Sequence, residues 1–277
     1  MKKRIAFIAP VFFIAFNISC SSPVSLKKTK FSESNAIVTA LTGEQFYQAA
    51  MQMQWRQRDS FATQQILSGN IPSFLYRLSP VHVVIKDSLT GKKTAAVYFV
   101  TKDYLSVGVN DNWARVPLTP IAAQIIADSL DCFLPTRKMV NDIYAAARVR
   151  LAPVPMYIYR DSSVTMWQHH LMIEGQRNRQ KGLIAGIKKD VVISDLLTHS
   201  DKKNRVAIFG WHQLNGKPIQ PLYAGHVNWY ADYSHGIRLV YRKIKVNHQW
   251  MDYTELLANP TLKKLLCDEQ YCDVYRY

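Results

Sequence analysis

Half of the chain's eight histidines fall between Lys188 and Arg238: His199, His212, His226 and His235. The same stretch carries Lys188-Lys189-Asp190, Gly210-Trp211-His212 and a closing run from His226 to Arg238 that contains Asp232-Tyr233-Ser234-His235-Gly236. Titratable side chains beside Gly and Trp, at the ends of strand-like segments, are the setting in which loops carry binding and catalysis. Three chemistries fit these residue types. In the first, Ser234 is a nucleophile activated by His226 or His212, with Asp190 or Asp232 orienting the imidazole. On a regular strand Ser234 and His235 point to opposite faces, which makes His235 the weaker choice of base. No Gly-x-Ser-x-Gly elbow accompanies the serine. In the second, His226, Asp232 and His235, at intervals of six and three residues and joined by His212, supply nitrogen and oxygen ligands for zinc with an open water position. In the third, Cys132 is a thiolate paired with a histidine, but it precedes Leu134-Pro135-Thr136 rather than opening a helix, so activation by a helix dipole is lacking.

The same residues also have a purely structural reading. A His next to a Trp often packs with one ring nitrogen on the backbone, and Asp-Tyr-Ser is common turn chemistry. Arg238 would then pair with Asp190 or Asp232. Lys188-Lys189-Asp190 serves either to hold an anionic substrate or as a charged strand entry. The candidate substrate-contacting residues are Lys189, Asp190, Trp211 and Arg238. Gly236 lets the backbone turn sharply or approach a ligand closely. His169-His170 is expected on a solvated helix face.

The elements that would position these groups follow from periodicity. Thr42-Gly43-Glu44-Gln45 is a capping box, followed by an amphipathic helix to about residue 58. Asp59-Ser60 caps a second short helix, which Gly69-Asn70-Ile71-Pro72 ends. Val81 to Ile85 is a strand and Thr94 to Val100 its hairpin partner, with a third strand in Tyr104 to Val109. Helices follow from Pro120 to about Leu130, from Arg137 to about Arg148 and from Thr165 to Gln180. Asp190–Ser194, Arg205–Phe209, Tyr230–Tyr233 and Ile237–Tyr241 read as strands. Short helices close the chain at Thr254–Leu257 and Leu262–Leu266. Helices, strands, helices, then strands define an α+β class with C-terminal antiparallel strands, not strict βαβ alternation.

The chain of 277 residues carries a formal net charge of +15. No zinc-finger, helix-turn-helix or RNA-binding signature accompanies that charge, and no nucleic-acid partner is expected. Cys267 and Cys272 stand five apart, a spacing suited to a small-loop disulfide in an oxidising compartment. Cys132 has no evident partner and is expected as a buried, inert thiol.

Several blocks resemble a family of uncharacterised secreted bacterial proteins. They are Leu134-Pro135-Thr136 with Lys138-Met139-Val140, Lys188-Lys189-Asp190-Val191, Gly210-Trp211-His212 with Pro218-Ile219-Gln220-Pro221-Leu222, and Asp232 to Arg238. The resemblance implies a shared fold over most of residues 40–275, as one domain, and carries no catalytic assignment. The Trp-His dipeptide and the His-to-Asp interval are similar to features of peptidoglycan-cleaving zinc peptidases, although here Trp-His comes first and the interval is one residue short.

At the N-terminus, Lys2-Lys3-Arg4 precedes an apolar run from Ile5 to Phe16, the layout of a secretory signal, too short to span a bilayer as a stable helix. Asn17-Ile18-Ser19-Cys20 resembles the lipobox of bacterial lipoproteins, with Asn17 where Leu is usual. The resemblance implies cleavage of residues 1–19, diacylation of Cys20 and a bilayer as partner. No Asp follows Cys20, which by resemblance to enterobacterial sorting points to the outer membrane. Residues 20–40 are expected as a flexible tether, and residues 41–277 as the folded domain. Removing the three cations Lys2, Lys3 and Arg4 leaves +12. Outside the inner membrane such charge meets phospholipid, peptidoglycan carboxylates and polyanionic glycans. The sequence thus carries two expectations: a hydrolase of an envelope polymer such as peptidoglycan, Ser/His/Asp- or zinc-dependent, built on His212, His226, Asp232, Ser234 and His235; or a non-catalytic lipoprotein binding an anionic glycan or a partner protein.

Overall fold

The structure is a computed structural model that describes residues 23–27, 39–87 and 90–277. The signal-like segment and Cys20 lie outside the described residues. Thr42 forms the expected capping box, its hydroxyl accepting from Gln45 N while Gln45 Oε1 accepts from Thr42 N. The helix it opens, α1 (Gly43–Ala50), stops short of residue 58. A turn intervenes and α2 (Trp55–Leu67) restarts, with Gln57 Oε1 accepting the Gln54 N–H. Asp59 therefore lies inside α2 and caps nothing there. Its buried carboxylate instead accepts from the backbone N and the hydroxyl of Thr119, fixing the start of another helix.

β1 (Ser79–Lys86) and β2 (Lys93–Val100) form the expected hairpin. A second, smaller hairpin joins β3 (Ser106–Val109) to β4 (Asn112–Arg115). Next come α3 (Pro120–Ser129), β5 (Cys132–Phe133), α4 (Arg137–Ala146), β6 (Val149–Arg150), α5 (Ser163–Arg177) and β7 (Ile184–Ala185). Pro120 sits at the first turn of α3, where its missing N–H leaves no bond unmade. The C-terminal part runs β8 (Lys189–Val192), β9 (Arg205–His212), β10 (Pro218–Val227), β11 (His235–Gly236), β12 (Val240–Tyr241), β13 (Lys243–Val246), β14 (Gln249–Asp252) and α6 (Tyr253–Ala258), followed by a 3-10 turn at Leu262–Leu265.

Two principal sheets result. One has the order β14-β13-β2-β12-β5, with β1 paired to β2; the other has the order β10-β9-β8-β11. The α+β class is as expected, and most pairings are antiparallel. β11 is the exception among the C-terminal strands: it runs parallel to β8, with His235 opposite Lys189 and Gly236 opposite Asp190. The main apolar core draws on residues from Leu26 to Val274 and includes Phe46, Tyr98, Phe133, Ile208 and Leu256, with two smaller apolar clusters beside it. Each such side chain contributes roughly 1.5–3 kcal/mol when fully buried.

The expected tether is not uniform. Leu26 is buried and donates its N–H to the Tyr76 carbonyl, and Leu78 N donates to Val24 O. An apolar residue inside a polar segment is enough to dock it. Among the described residues no helix is long and apolar enough to cross a membrane.

Candidate functional site

The expected strand at Tyr230–Tyr233 is a turn, and Asp232 is the reason. Its Oδ1 accepts from Ser234 N at 2.8 Å and from Ser234 Oγ at 2.5 Å. These two bonds bend the backbone away from an extended strand. Its Oδ2 accepts from Arg160 Nη2 at 2.8 Å and from the Tyr230 hydroxyl at 3.3 Å. The turn is also tied to the preceding loop: Tyr233 N donates to Arg160 O, and Met156 N donates to the Tyr233 hydroxyl. The buried Asp232 thus holds the connection from β10 to β11 in one shape. Burial works against its charge, but His235, the two Ser234 bonds and Arg160 together outweigh it and hold the carboxyl below its ordinary range.

Of the candidate catalytic set, the structure brings together His226, Asp232, Ser234 and His235, but not as a relay. Ser234 is fully buried, and its hydroxyl donates to Asp232 rather than to an imidazole. His235 is sealed, 1% exposed, with neither ring nitrogen partnered. Burial pushes it down to about 4, with Asp232 pulling the other way. His226 is half-buried, its ring centroid 4.8 Å from Tyr230 and 6.3 Å from His235. Burial lowers it as well.

His212 does not join them. In the β9–β10 ladder it lies opposite Pro218, whereas His226 lies opposite Val206, six residues along β9. Six residues of strand amount to about 20 Å. His212 stacks on Tyr144 at 4.4 Å, and its Nε2 lies 2.9 Å from Asn141 Oδ1, both on α4. Burial lowers it to about 4. The Trp-His pair parts because Gly210 and Trp211 both take left-handed backbone, φ 109° and 57°. Trp211 turns toward Tyr233, 6.4 Å away, and Lys189 Nζ lies 5.1 Å above its ring. Among the described residues, no group of three or more His, Cys, Asp or Glu side chains is arranged to hold a metal ion.

The other candidates belong to a buried polar network. Tyr104 OH donates to Asp190 Oδ2 at 2.8 Å, and Arg238 Nε lies 3.8 Å from Asp190 Oδ1. The Arg238 guanidinium also covers the Tyr104 ring and donates to the carbonyls of Thr101 and Ile184. It therefore ties together three segments inside the protein. Burial raises Asp190 to about 7, against the pull of Arg238 and Tyr104. Lys188 is buried too, its ammonium donating to the Tyr233 carbonyl beside His169 Nδ1. Burial, helped by Arg115, lowers it to about 7. Gly236 does permit a close approach, but of protein rather than ligand: a Cβ there would meet Tyr104 at 2.5 Å and Lys188 at 2.6 Å.

His169 and His170 are corrected outright, for both are buried and not solvated. The face of α5 that carries them turns inward onto charge. Arg115 pairs with Asp103 and Glu174, and His170 Nδ1 lies 3.4 Å from the Arg115 guanidinium. Burial lowers both histidines. Cys267 and Cys272 form the expected disulfide. Cys132 is free and buried, which pushes its thiol up and leaves it inert.

A hollow of about 500 Å³ opens beside the turn, lined by Met51, Trp55, Arg58, Asp161, Trp229 and Tyr230 among others. Of its lining, Val227, Trp229, Tyr230 and Ala231 belong to the stretch singled out in the sequence. The missed residues come from the start of α5, from the turn before α2 and from α2 itself, which supplies Trp55 and Arg58. Its inward positions are Arg58, Asp59, Ala62, Gln65 and Ile66. Three of those five are polar, at a spacing where an amphipathic helix places apolar residues, and that mismatch was the available signal.

Compared with known proteins, the chain matches no family model, and no curated protein or solved structure is significantly similar to it.

Proposed function

We propose that this chain is an exported lipoprotein, tethered to the outer membrane through Cys20, that binds an anionic envelope polymer such as peptidoglycan without cleaving it. The observation that carries the reading is the hollow itself. A recess of about 500 Å³ is within the size range of small-ligand sites. It is rimmed by indole and phenol rings, with Trp229 46% exposed, the kind of side chain that anchors contacts. The net charge of +12 left after cleavage before Cys20, from +15 for the full chain, favours a polyanion. The disulfide fits an oxidising compartment, and the Lys2-to-Cys20 pattern fits export.

The hydrolase expectation finds less support. It needs Ser234 Oγ free and facing an imidazole, whereas the hydroxyl is held by Asp232 and buried. The test uses purified sacculi with the full chain. Wild type is expected to co-sediment without clearing a sacculus zymogram, and Trp229→Ala to co-sediment much less. Clearing by wild type that His226→Ala abolishes would overturn the reading in favour of the hydrolase.

A further inference from the structure

We propose that the hollow is an anion-recognition site in which Arg58 takes the carboxylate of an acidic sugar. The inference rests on the binding reading and names the ligand class. Arg58 is 5% exposed, yet among the described residues it makes one hydrogen bond, from Nη1 to the Asp161 carbonyl at 2.9 Å. Among the described residues no carboxylate lies within ion-pair distance of it, and its buried Nε has no partner. Its neighbour Asp59 attracts it through space, but that carboxylate is bonded to Thr119, and a buried cation without an ion pair is unfavourable unless something supplies one. The other buried arginines show the contrast: Arg115 has Asp103 and Glu174, and Arg238 has Asp190 and two carbonyls. Arg58 lines the hollow.

Two helices also begin at this wall. Gln54 and Trp55 open α2, and Ser162, Ser163 and Val164 open α5; all five line the hollow. The first N–H groups of each helix lack intrahelical acceptors and carry partial positive charge, which favours an anion there. These helices have 13 and 15 residues. The walls are not uniformly cationic, however. Asp161 stands in the same lining, and its carboxylate acts on the Tyr230 phenol, which burial and Asp232 push up to about 12. A negative group on the wall disfavours a phosphate dianion more than a single carboxylate, and it can accept from sugar hydroxyls. Trp55, Trp229 and Tyr230 offer flat apolar faces to a sugar ring. One anion, several hydroxyls and an apolar ring face describe a carboxylated sugar.

The test titrates the full chain, ¹⁵N-labelled at arginine, with sodium glucuronate, glucose and inorganic phosphate in turn. Glucuronate is expected to move the Arg58 Nε–H signal saturably and to quench tryptophan fluorescence. Glucose is expected to leave that signal in place, and phosphate to bind more weakly than glucuronate. Arg58→Met should weaken glucuronate at least about tenfold, the loss of one charge-assisted contact, and Arg58→Lys should weaken it less. Near-UV circular dichroism checks that the variants fold; if Arg58→Met does not, the wild-type signal and Arg58→Lys still decide. An Arg58 signal indifferent to glucuronate, equal responses to glucose and glucuronate, or tighter binding of phosphate would each overturn the inference. Sacculus binding that survives Arg58→Met overturns it while leaving the binding function standing. Wild type that responds to glucuronate at Arg58 but ignores sacculi upholds the anion site and overturns the envelope-polymer reading.

Discussion

Replacing Ser234 by alanine separates a structural serine from a catalytic one. The hydroxyl lies 2.5 Å from Asp232 Oδ1 in a fully buried position. A hydrogen bond to an ionised carboxylate is worth about 1.5–3 kcal/mol, and a buried site admits no water to replace it. The carboxylate keeps three other donors, Ser234 N, Arg160 and Tyr230, so the loss should lie near the middle of that range, about 2 kcal/mol. For a chain of this size that corresponds to a drop in Tm of roughly 4–8 °C. The effect should depend on pH with a fixed sign. Asp232 is held below its ordinary range in the folded state, against its burial. Its stabilisation is therefore present above the unfolded pKa of about 3.9 and is lost as pH falls through the folded value. Urea unfolding of wild type and Ser234→Ala from pH 7 into acid should show the full difference at neutrality and a shrinking one as pH falls through the folded Asp232 value. An alanine variant as stable as wild type at pH 7, yet stripped of a polymer-cleaving activity that wild type shows, would refute the structural role and restore the nucleophile.

Three further outcomes follow from the same geometry. His212→Ala should lose about 1–3 kcal/mol through the Tyr144 stack and the Asn141 bond, yet leave sacculus binding unchanged; a binding defect without unfolding would return His212 to the site. Gly236→Ala should cost about 1–3 kcal/mol by overpacking against Tyr104 and Lys188, and a melting temperature equal to wild type would show that this contact relaxes freely. Asp190 and Lys188 should place a shallow stability minimum near neutrality. The folded state keeps the Asp190 proton up to about pH 7, so stability falls with rising pH from about 4. It releases the Lys188 proton from about 7, below the unfolded value of about 10.4, so stability rises again above neutrality. Asp190→Asn should flatten the acid limb and Lys188→Met the alkaline limb of a ΔG-against-pH profile; parallel displacement of the whole curve by either variant would contradict the assignment.

Local rules carried much of the fold. The Thr42 capping box, the hairpin of residues 79–100, the Pro120 helix and the Cys267–Cys272 disulfide each depend on residues near one another in sequence. The departures arise where a distant partner decides. His169 and His170 look like solvent-facing residues until Arg115, more than fifty positions away, is brought beneath α5 with Asp103 and pairs with Glu174 of that helix. Tyr230–Tyr233 has strand-forming composition, but the Asp232 carboxylate captures the next residues and closes a turn. Gly210 and Trp211 share left-handed backbone, so Trp211 and His212 serve different surroundings.

The same reasoning explains why the titratable cluster was legible and its role was not. Residue type announces that His226, Asp232, Ser234 and His235 could do chemistry; only contact shows which groups are already committed. Asp232 meets four donors, Ser234 gives its hydroxyl to Asp232, and His235 is sealed, so this cluster shapes a turn whose outer side presents Trp229 and Tyr230 to the hollow. Among the buried arginines of the described residues, the one left without an ion pair is Arg58, in a helix that offered no motif. What marked it was a charged residue on the inward stripe of α2, beside Asp59 and one turn before Ala62. Asp59 answers to Thr119, whereas Arg58 answers to one carbonyl and open space. An inward charge whose ion-pair partner is missing points to a ligand more directly than a concentration of reactive residue types.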